Sequence, residues 1–389
     1  MNKDKPLLSY RDEFPITKRF IYLDHAGIAP VPLRAKKAVE KYLNEASRFG
    51  AFYYQTWKNK IEEVRKDCAN LINANPKEIT FVKNTSHGLS LVAGGLNWEK
   101  GDKVLLYEKE FPANIYPWLN LKKKGVKVTF IPSRQGKIVL EEIESLIDSQ
   151  TRLLAISSVQ FLNGFRIDLE RVGEICRAKG VLLCVDAIQS LGVIPMDVKK
   201  SKIDFLAADG HKWLLAPEGT GIFYCRKELA EKINPTLIGW KSIQNEFDFD
   251  QIDFRLKISA LRFEEGSLNL MGIFALGAAL DLLFEAGIDR IEKMVLKIGD
   301  LIIKKAEERD LVIKSPRAKE ERGGIVSIAG NFNPVTVQSR LRELDIMVNV
   351  RDEAIRISPH FYNTEAEIFK LFDTLDMVLR SGSPAMNPL

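Results

Sequence analysis

Seven short runs rich in β-branched and other apolar residues punctuate the first two thirds of the chain, and their rhythm limits the fold more than any other feature. They read "EITFVKN" (78–84), "DKVLLYE" (102–108), "VKVTFIP" (126–132), "TRLLAISS" (151–158), "VLLCVDA" (181–187), "DFLAAD" (204–209) and "TGIFYCR" (220–226). Between several of them lie amphipathic stretches such as "LEEIESLID" (140–148) and "LERVGEICRAKG" (169–180), the latter closing on a glycine that suits a helix C-cap. Continuous apolar strands alternating with helices predict a mostly parallel sheet covered on both faces. Only a short glycine-bearing link, 210–219, joins the last two runs, so that pair need not be parallel.

After about residue 262 the pattern changes to a long helical region (272–311), then "GGIVSIAG" (323–330), another helix and a charged helix (364–380). A chain of 389 residues exceeds what one core usually organises, which predicts two domains. The expected division is a large α/β domain over 20–262 and a smaller α+β domain built from 1–19 and 263–389, with the tail "SGSPAMNPL" frayed.

Composition excludes several classes of partner. The 57 Lys+Arg against 52 Asp+Glu leave +5, spread without a basic block, so nucleic acid is not expected as a partner. Cys68, Cys176, Cys184 and Cys225 stand far apart with no Cys-x-x-Cys pair, which argues against a disulfide framework and a structural zinc and for a reducing cytoplasm. The N-terminus lacks the apolar core of a signal peptide, and no apolar run approaches about 18 residues, so no membrane segment is expected.

In open α/β sheets the ligand lies beyond the carboxyl ends of the strands. Here those ends read "TSHG" (85–88), "EFPAN" (110–114), "VQFLNG" (159–164), "DAIQS" (186–190) and "DGHKW" (209–213). Thr85 and Ser86 open a helix whose first amides suit a phosphate, although an ordinary N-cap would read the same way. Asp186 closes an apolar strand, where a carboxylate needs a cation or strong donor. Gln189 lies within reach of a neighbouring ring hydroxyl or is a solvated turn residue; Phe111 offers a face for stacking or simply packs. His211 is a phosphate ligand or a capped loop residue, and the four histidines, at 25, 87, 211 and 360, all fall in such turn segments.

Lys212 is the most telling of these residues. A lysine between a histidine and a tryptophan, where a strand ends, loses water from its ammonium and becomes a nucleophile suited to a Schiff base. A lysine nucleophile, an acidic strand end, a phosphate pocket and a stacking ring together describe one cofactor, pyridoxal 5′-phosphate.

With those residues in view, "YLDHAGIAPVP", "VDAIQSLG", "DGHKWLLAPEGTG", "LRFEEGSLNLMGIFALGAALDLL" and "IRISPHFYNTEAEI" resemble the class V aminotransferase family of fold-type I pyridoxal-phosphate enzymes, over nearly the whole chain and in order. That family includes cysteine desulfurases, selenocysteine lyases and isopenicillin-N epimerase-like proteins. The resemblance implies Lys212 as the Schiff-base lysine, Asp186 at the pyridinium nitrogen, Gln189 at the ring hydroxyl, Thr85, Ser86 and His211 at the phosphate, and Phe111 stacked on the ring. It further implies a homodimer with active sites at the interface, where Ser267 reaches the partner's phosphate, and Arg356 as the clamp for the α-carboxylate of a small-molecule amino acid substrate.

The chain also departs from the family pattern. Desulfurases carry a catalytic cysteine on a loop shortly before that arginine, yet "LDIMVNVRDEAIRISPH" (344–360) holds no cysteine and no room for the loop. Phe111 stands where many desulfurases have histidine, and Asp209 where several relatives place a phosphate-binding serine. The leading expectation is an enzyme acting at the amino acid Cα through Lys212, by transamination, epimerisation or lyase chemistry. Cysteine or selenocysteine desulfurization is the first alternative and a non-catalytic binding protein on the same fold the second.

Overall fold

The computed structural model describes residues 5–250 and 252–381, so the tail expected to fray lies almost wholly outside the described residues. β1 (Ile21–Tyr22) leads into α1 (Leu33–Phe49) and α2 (Tyr54–Leu71). The main sheet is built from β2 (Ile79–Val82), β3 (Lys103–Tyr107), β4 (Lys127–Ile131), β5 (Thr151–Ser157), β6 (Leu182–Asp186), β7 (Phe205–Asp209) and β8 (Gly221–Cys225), one from each apolar run. Their order is β2-β8-β7-β6-β5-β3-β4. Strands β3 to β7 are parallel to their neighbours, while β8 runs antiparallel to both β7 and β2. The short link before β8 permits only that reversal, because a parallel return needs a crossover of about a dozen residues or more.

Helices α3 (Thr85–Gly95), α4 (Tyr116–Leu119), α5 (Leu140–Leu146), α6 (Leu169–Lys179) and α7 (Lys227–Ala230) connect or follow these strands. Asp168 caps α6 by accepting from the Glu170 and Arg171 amides, and Gly180 ends it in the left-handed region, as the sequence pattern predicts. α3 lies directly on β7 because Gly88 has no side chain; a Cβ there would stand 2.7 Å from the Ala207 Cβ. That close approach sets the first turn of α3 beside the end of β7.

The expected helical region 272–311 is two helices, α8 (Leu270–Ala286) and α9 (Ile288–Glu307), separated at Gly287 with φ +83°. α8 packs against α1 and α2 in the core of the large layer, although the sequence pattern assigned everything after 262 to the smaller unit. Burial decides this: α8 is apolar nearly all round, with Ile273, Leu276, Leu280 and Leu283 inside, whereas α9 is amphipathic.

Beyond α9 come β9 (Val312–Ile313), β10 (Val326–Ala329), α10 (Pro334–Glu343), β11 (Ile346–Met347), β12 (Asn349–Arg351), β13 (Ala354–Ile357) and α11 (Glu365–Ser381). A second, antiparallel sheet has the order β12-β13-β10-β9. Ile298, Ile302, Ile328, Ile355 and Phe372 fill the core between this sheet and its helices, each worth about 1.5–3 kcal/mol of burial. β11 pairs in parallel with β1 in a separate two-stranded sheet, which ties Ile21 and Tyr22 to the segment between α10 and β12. Among the described residues no single helix is long and apolar enough to cross a membrane.

Candidate active site

β3, β5, β6 and β7 end on one edge of the main sheet at Tyr107, Ser157, Asp186 and Asp209. The segments that follow them form the site. Asp186 is buried, and its Oδ1 accepts a hydrogen bond from the Ile188 amide at 3.0 Å. Burial pushes its pKa up, the nearby Glu110 pushes it further, and the Ile188 hydrogen bond and the charge of Lys212 act against both. A carboxylate held this way gains most from a cationic donor.

Lys212 lies three residues past β7 in a turn closed by the Leu215 amide on the Lys212 carbonyl and by the Ala216 amide on the Gly210 carbonyl. Trp213 fixes that turn. Its ring is fully buried and its Nε1 donates to Gln189 Oε1 at 2.9 Å. Gly192, with φ +97°, passes so close to the Trp213 backbone that a Cβ would lie 2.2 Å from the Trp213 carbonyl oxygen. The ammonium of Lys212 is thereby held over the Phe111 ring, 5.7 Å from its centroid. Among the described residues no carboxylate forms an ion pair with it, and burial lowers its pKa to about 8 against the opposing attraction of Asp186.

Phe111 is half exposed, its face open beside the lysine and its edge meeting Phe161 at 5.1 Å and 79°. Thr85 and Ser86 begin α3, and their amides precede the first hydrogen bond of that helix, from the Gly88 amide to the Asn84 carbonyl. Thr85 Oγ1 accepts from the Asp209 amide at 3.0 Å. Asp209, buried, accepts from the Gly210 amide at 2.7 Å and stands 2.9 Å from His211 Nδ1. Thr85 and Asp209 are therefore bonded to each other, and His211 lies beside them.

Arg356 on β13 is buried; Nη1 donates to the Phe161 carbonyl at 3.0 Å and Nη2 to Asp24 Oδ1 at 3.3 Å. Its Nε has no partner among the described residues. Burial lowers the pKa of this guanidinium to about 10, although the Asp24 carboxylate opposes the shift.

The remaining sequence-predicted residues are placed less directly. Gln189 donates from Nε2 to the Ala26 carbonyl at 3.1 Å while holding Trp213, so only its second amide hydrogen is free for a ring hydroxyl. Ser267 is exposed just ahead of α8, apart from the cleft. His87 belongs to α3 rather than to a turn, and His25 and His360 are fully buried, with ring centroids 6.1 and 5.6 Å from that of Trp213. They support the lysine turn from beneath. All four cysteines are buried, and burial pushes every thiol up, Cys68 and Cys176 to about 12.

Residues 21–371 match the family described as aminotransferase class-V. The chain belongs to the class-V aminotransferase family. It is 31% identical to a probable cysteine desulfurase of Methanothermobacter thermautotrophicus over 96% of this chain and 98% of that one. It is also 31% identical to an uncharacterized aminotransferase of Bacillus subtilis, over 94% and 96% of the two chains. The apo cysteine desulfurase of Thermococcus onnurineus superposes with a TM-score of 0.91 at 29% identity, covering 98% of this chain and all of that one.

Membership makes the chain a pyridoxal-phosphate-dependent enzyme of fold type I. The residues present fit that group: the buried Asp186 lacks a cationic donor within bonding distance, Lys212 is an unpaired cation over an open aromatic face, and the first amides of α3 suit a phosphate. Asp209 departs from the pattern, since a carboxylate donates no hydrogen bond to phosphate; here it accepts from the Gly210 amide and lies beside His211.

Sequence reasoning missed two residues at the site. Gln160 is buried and bonds Glu110 at 2.9 Å, so both help to shape the pocket behind Phe111. Arg351 acts on the charges of both Lys212 and Arg356. Its one signal in the sequence was a cation just before the turn "DE" that precedes Arg356.

Proposed function

We propose that this enzyme rearranges bonds at the Cα of an amino acid, with Lys212 as both the attachment point for pyridoxal phosphate and the group that moves the Cα proton. The observation that carries this reading is the ammonium of Lys212, partly buried and without an ion pair among the described residues, beside the face of Phe111 and in the field of Asp186. A lowered pKa supplies neutral amine near neutral pH, the form that attacks a carbonyl and accepts a proton.

When bound, pyridoxal phosphate supplies an electron sink for the pair released at Cα. The protein provides the rest. Asp186 would pair with the ring nitrogen and favour its protonated form, and the Thr85 and Ser86 amides would hold the phosphate together with His211. The guanidinium of Arg356, fixed by the Phe161 carbonyl and Asp24, receives the substrate carboxylate, which orients the Cα–H bond. Phe111 excludes water from one ring face.

The reading extends to a homodimer in a reducing cytoplasm, with Ser267 reaching the partner's phosphate. Phe249, Ile252, Phe254 and Ile258 are 72%, 97%, 69% and 66% exposed, an apolar surface that a second subunit would cover, and Ser267 is exposed for the same contact.

A desulfurase reading is favoured by the names of the relatives. The thiols oppose it. Persulfide formation needs an exposed thiolate near positive charge, whereas all four are buried with raised pKa values. The segment before Arg356 is a two-residue hairpin turn, Asp352 and Glu353 at φ +48° and +58°, with no loop to carry a cysteine. Assay of the holoenzyme with L- and D-amino acids for keto acid, epimer and sulfide tests the reading. Keto acid or epimer without protein-bound persulfide supports it; sulfide released through a protein persulfide overturns it.

A further inference from the structure

Arg351 shares a hairpin face with Arg356. Asn349 pairs across from Arg356, and Arg351, two residues along β12, points to the same side. The two arginines are therefore diagonal neighbours, about 7–8 Å apart along the sheet. A chain of hydrogen bonds links them: Arg351 Nη1 to Asn349 Oδ1 (2.9 Å), Asn349 Nδ2 to Asp24 Oδ2 (2.7 Å), and Arg356 Nη2 to Asp24 Oδ1 (3.3 Å). Arg351 Nη1 also donates to the Val350 carbonyl at 2.8 Å. Both partners of Arg351 are neutral.

Arg351 opens on a cleft of about 590 Å³ between the main and small sheets. Lys109, Lys137, Lys314 and Arg317 line it too. Lys137 pairs with Glu321 at 2.5 Å, Lys314 with Asp352 at 3.7 Å, and Arg317 with Glu307. Among the described residues Lys109 and Arg351 are thus the lining cations without a carboxylate. Gln160 lines the same cleft, and the carbonyl of the next residue, Phe161, accepts from Arg356. The cationic cleft and the Cα site share that wall.

We propose that the enzyme selects amino acids whose side chain ends in an anion, such as a carboxylate or sulfinate, with Arg356 taking the α-carboxylate and Arg351 the side-chain anion. This rests on the reading of the Lys212 site as one that acts at Cα. Two guanidiniums side by side repel each other and Lys212; a substrate with two anionic ends neutralises both, whereas a neutral side chain leaves Arg351 uncompensated. The unbalanced cations of the cleft also concentrate anions at its mouth. Arg351 is then a specificity residue supplied by the hairpin that stands where related desulfurases carry a cysteine loop.

The test titrates the holoenzyme with L-glutamate, L-aspartate and L-cysteine sulfinate against L-glutamine, L-asparagine and L-alanine, following the cofactor absorbance. Succinate and succinamate, which have no amino group to react, are compared by calorimetry. The acidic member of each pair is expected to bind at least about tenfold more tightly, Arg351→Ala to remove that preference, and Arg351→Lys to restore part of it. Equal affinity within pairs in the wild-type enzyme, or an equal loss for acidic and neutral ligands in Arg351→Ala, overturns the proposal. If alanine and the amides still perturb the cofactor band, only the side-chain specificity falls. If no amino acid perturbs it, the Cα reading falls as well.

Discussion

The packing beneath the lysine turn makes stability sensitive to acid in a way that can be worked out from His25. Its Nδ1 lies 2.9 Å from the Ser358 carbonyl and its Nε2 2.6 Å from the Tyr362 hydroxyl. A carbonyl only accepts, so Nδ1 carries a hydrogen; in the neutral ring that burial favours, Nε2 accepts from the Tyr362 hydroxyl. Burial lowers its pKa from 6.5 to about 4. Between those values the unfolded chain binds a proton that the native state refuses, so the contribution is fully present above about pH 6.5 and is lost as pH falls. The whole gap corresponds to roughly 3.4 kcal/mol, of which roughly 2 kcal/mol disappears between about pH 7.5 and about pH 5. His360, also buried and neutral, acts in the same direction. The variant His25→Asn keeps a donor near the Ser358 carbonyl but cannot titrate. In urea unfolding followed by fluorescence, the wild type should lose about 2 kcal/mol more than the variant over that interval. The difference between the two proteins cancels the titrating groups that do not interact with His25 and leaves His25 with its coupling to His360. Parallel pH dependences would refute the neutral, buried assignment of His25.

Lys212 gives a second pH prediction: with its pKa lowered to about 8, the apo protein should take up pyridoxal phosphate at a rate that rises through about pH 8, as the neutral amine forms. A rise centred near the ordinary lysine value would contradict that burial. Gly192→Ala should destabilise the fold by about 2–4 kcal/mol and weaken cofactor retention, since it forces a side chain into the left-handed region and against the Trp213 carbonyl; an unchanged urea midpoint would show that the contact relaxes freely. Replacing Cys68, Cys176, Cys184 and Cys225 singly with alanine should leave Cα chemistry in place, and L-cysteine should leave no persulfide on the wild-type protein. A persulfide mapped to any of them by mass spectrometry during turnover would restore the desulfurase reading.

The strands and the lysine were legible because their signals are local. Apart from the edge strand β4, where only Ile131 is buried, each run in the main sheet is buried along most of its length, so the apolar pattern alone marks it. Lys212 stood out because its neighbours, a histidine, a fully buried tryptophan and a strand end, are adjacent in the chain. What stayed hidden depends on contacts between distant residues. That Gln189 holds Trp213, that Asp24 ties Asn349 to Arg356, and that Arg351 faces the site follow from pairings across 24, more than 300, and only five positions. The last was missed despite its short range, because the face that Arg351 presents depends on the register of a two-residue turn. The break at Gly287 was masked by apolar patterns that continue across it, and the bond of the Asp209 amide to Thr85 Oγ1 showed only in three dimensions.

The central claim is that Lys212 carries the cofactor. Borohydride treatment of the holoenzyme turns the carbon–nitrogen double bond between pyridoxal phosphate and its lysine into a stable amine, so peptide mass spectrometry can then locate the label. The account predicts one phosphopyridoxyl group per chain, on the peptide containing His211, Lys212 and Trp213, and none in Lys212→Ala. A label on a different lysine, or the same label retained in Lys212→Ala, would contradict it.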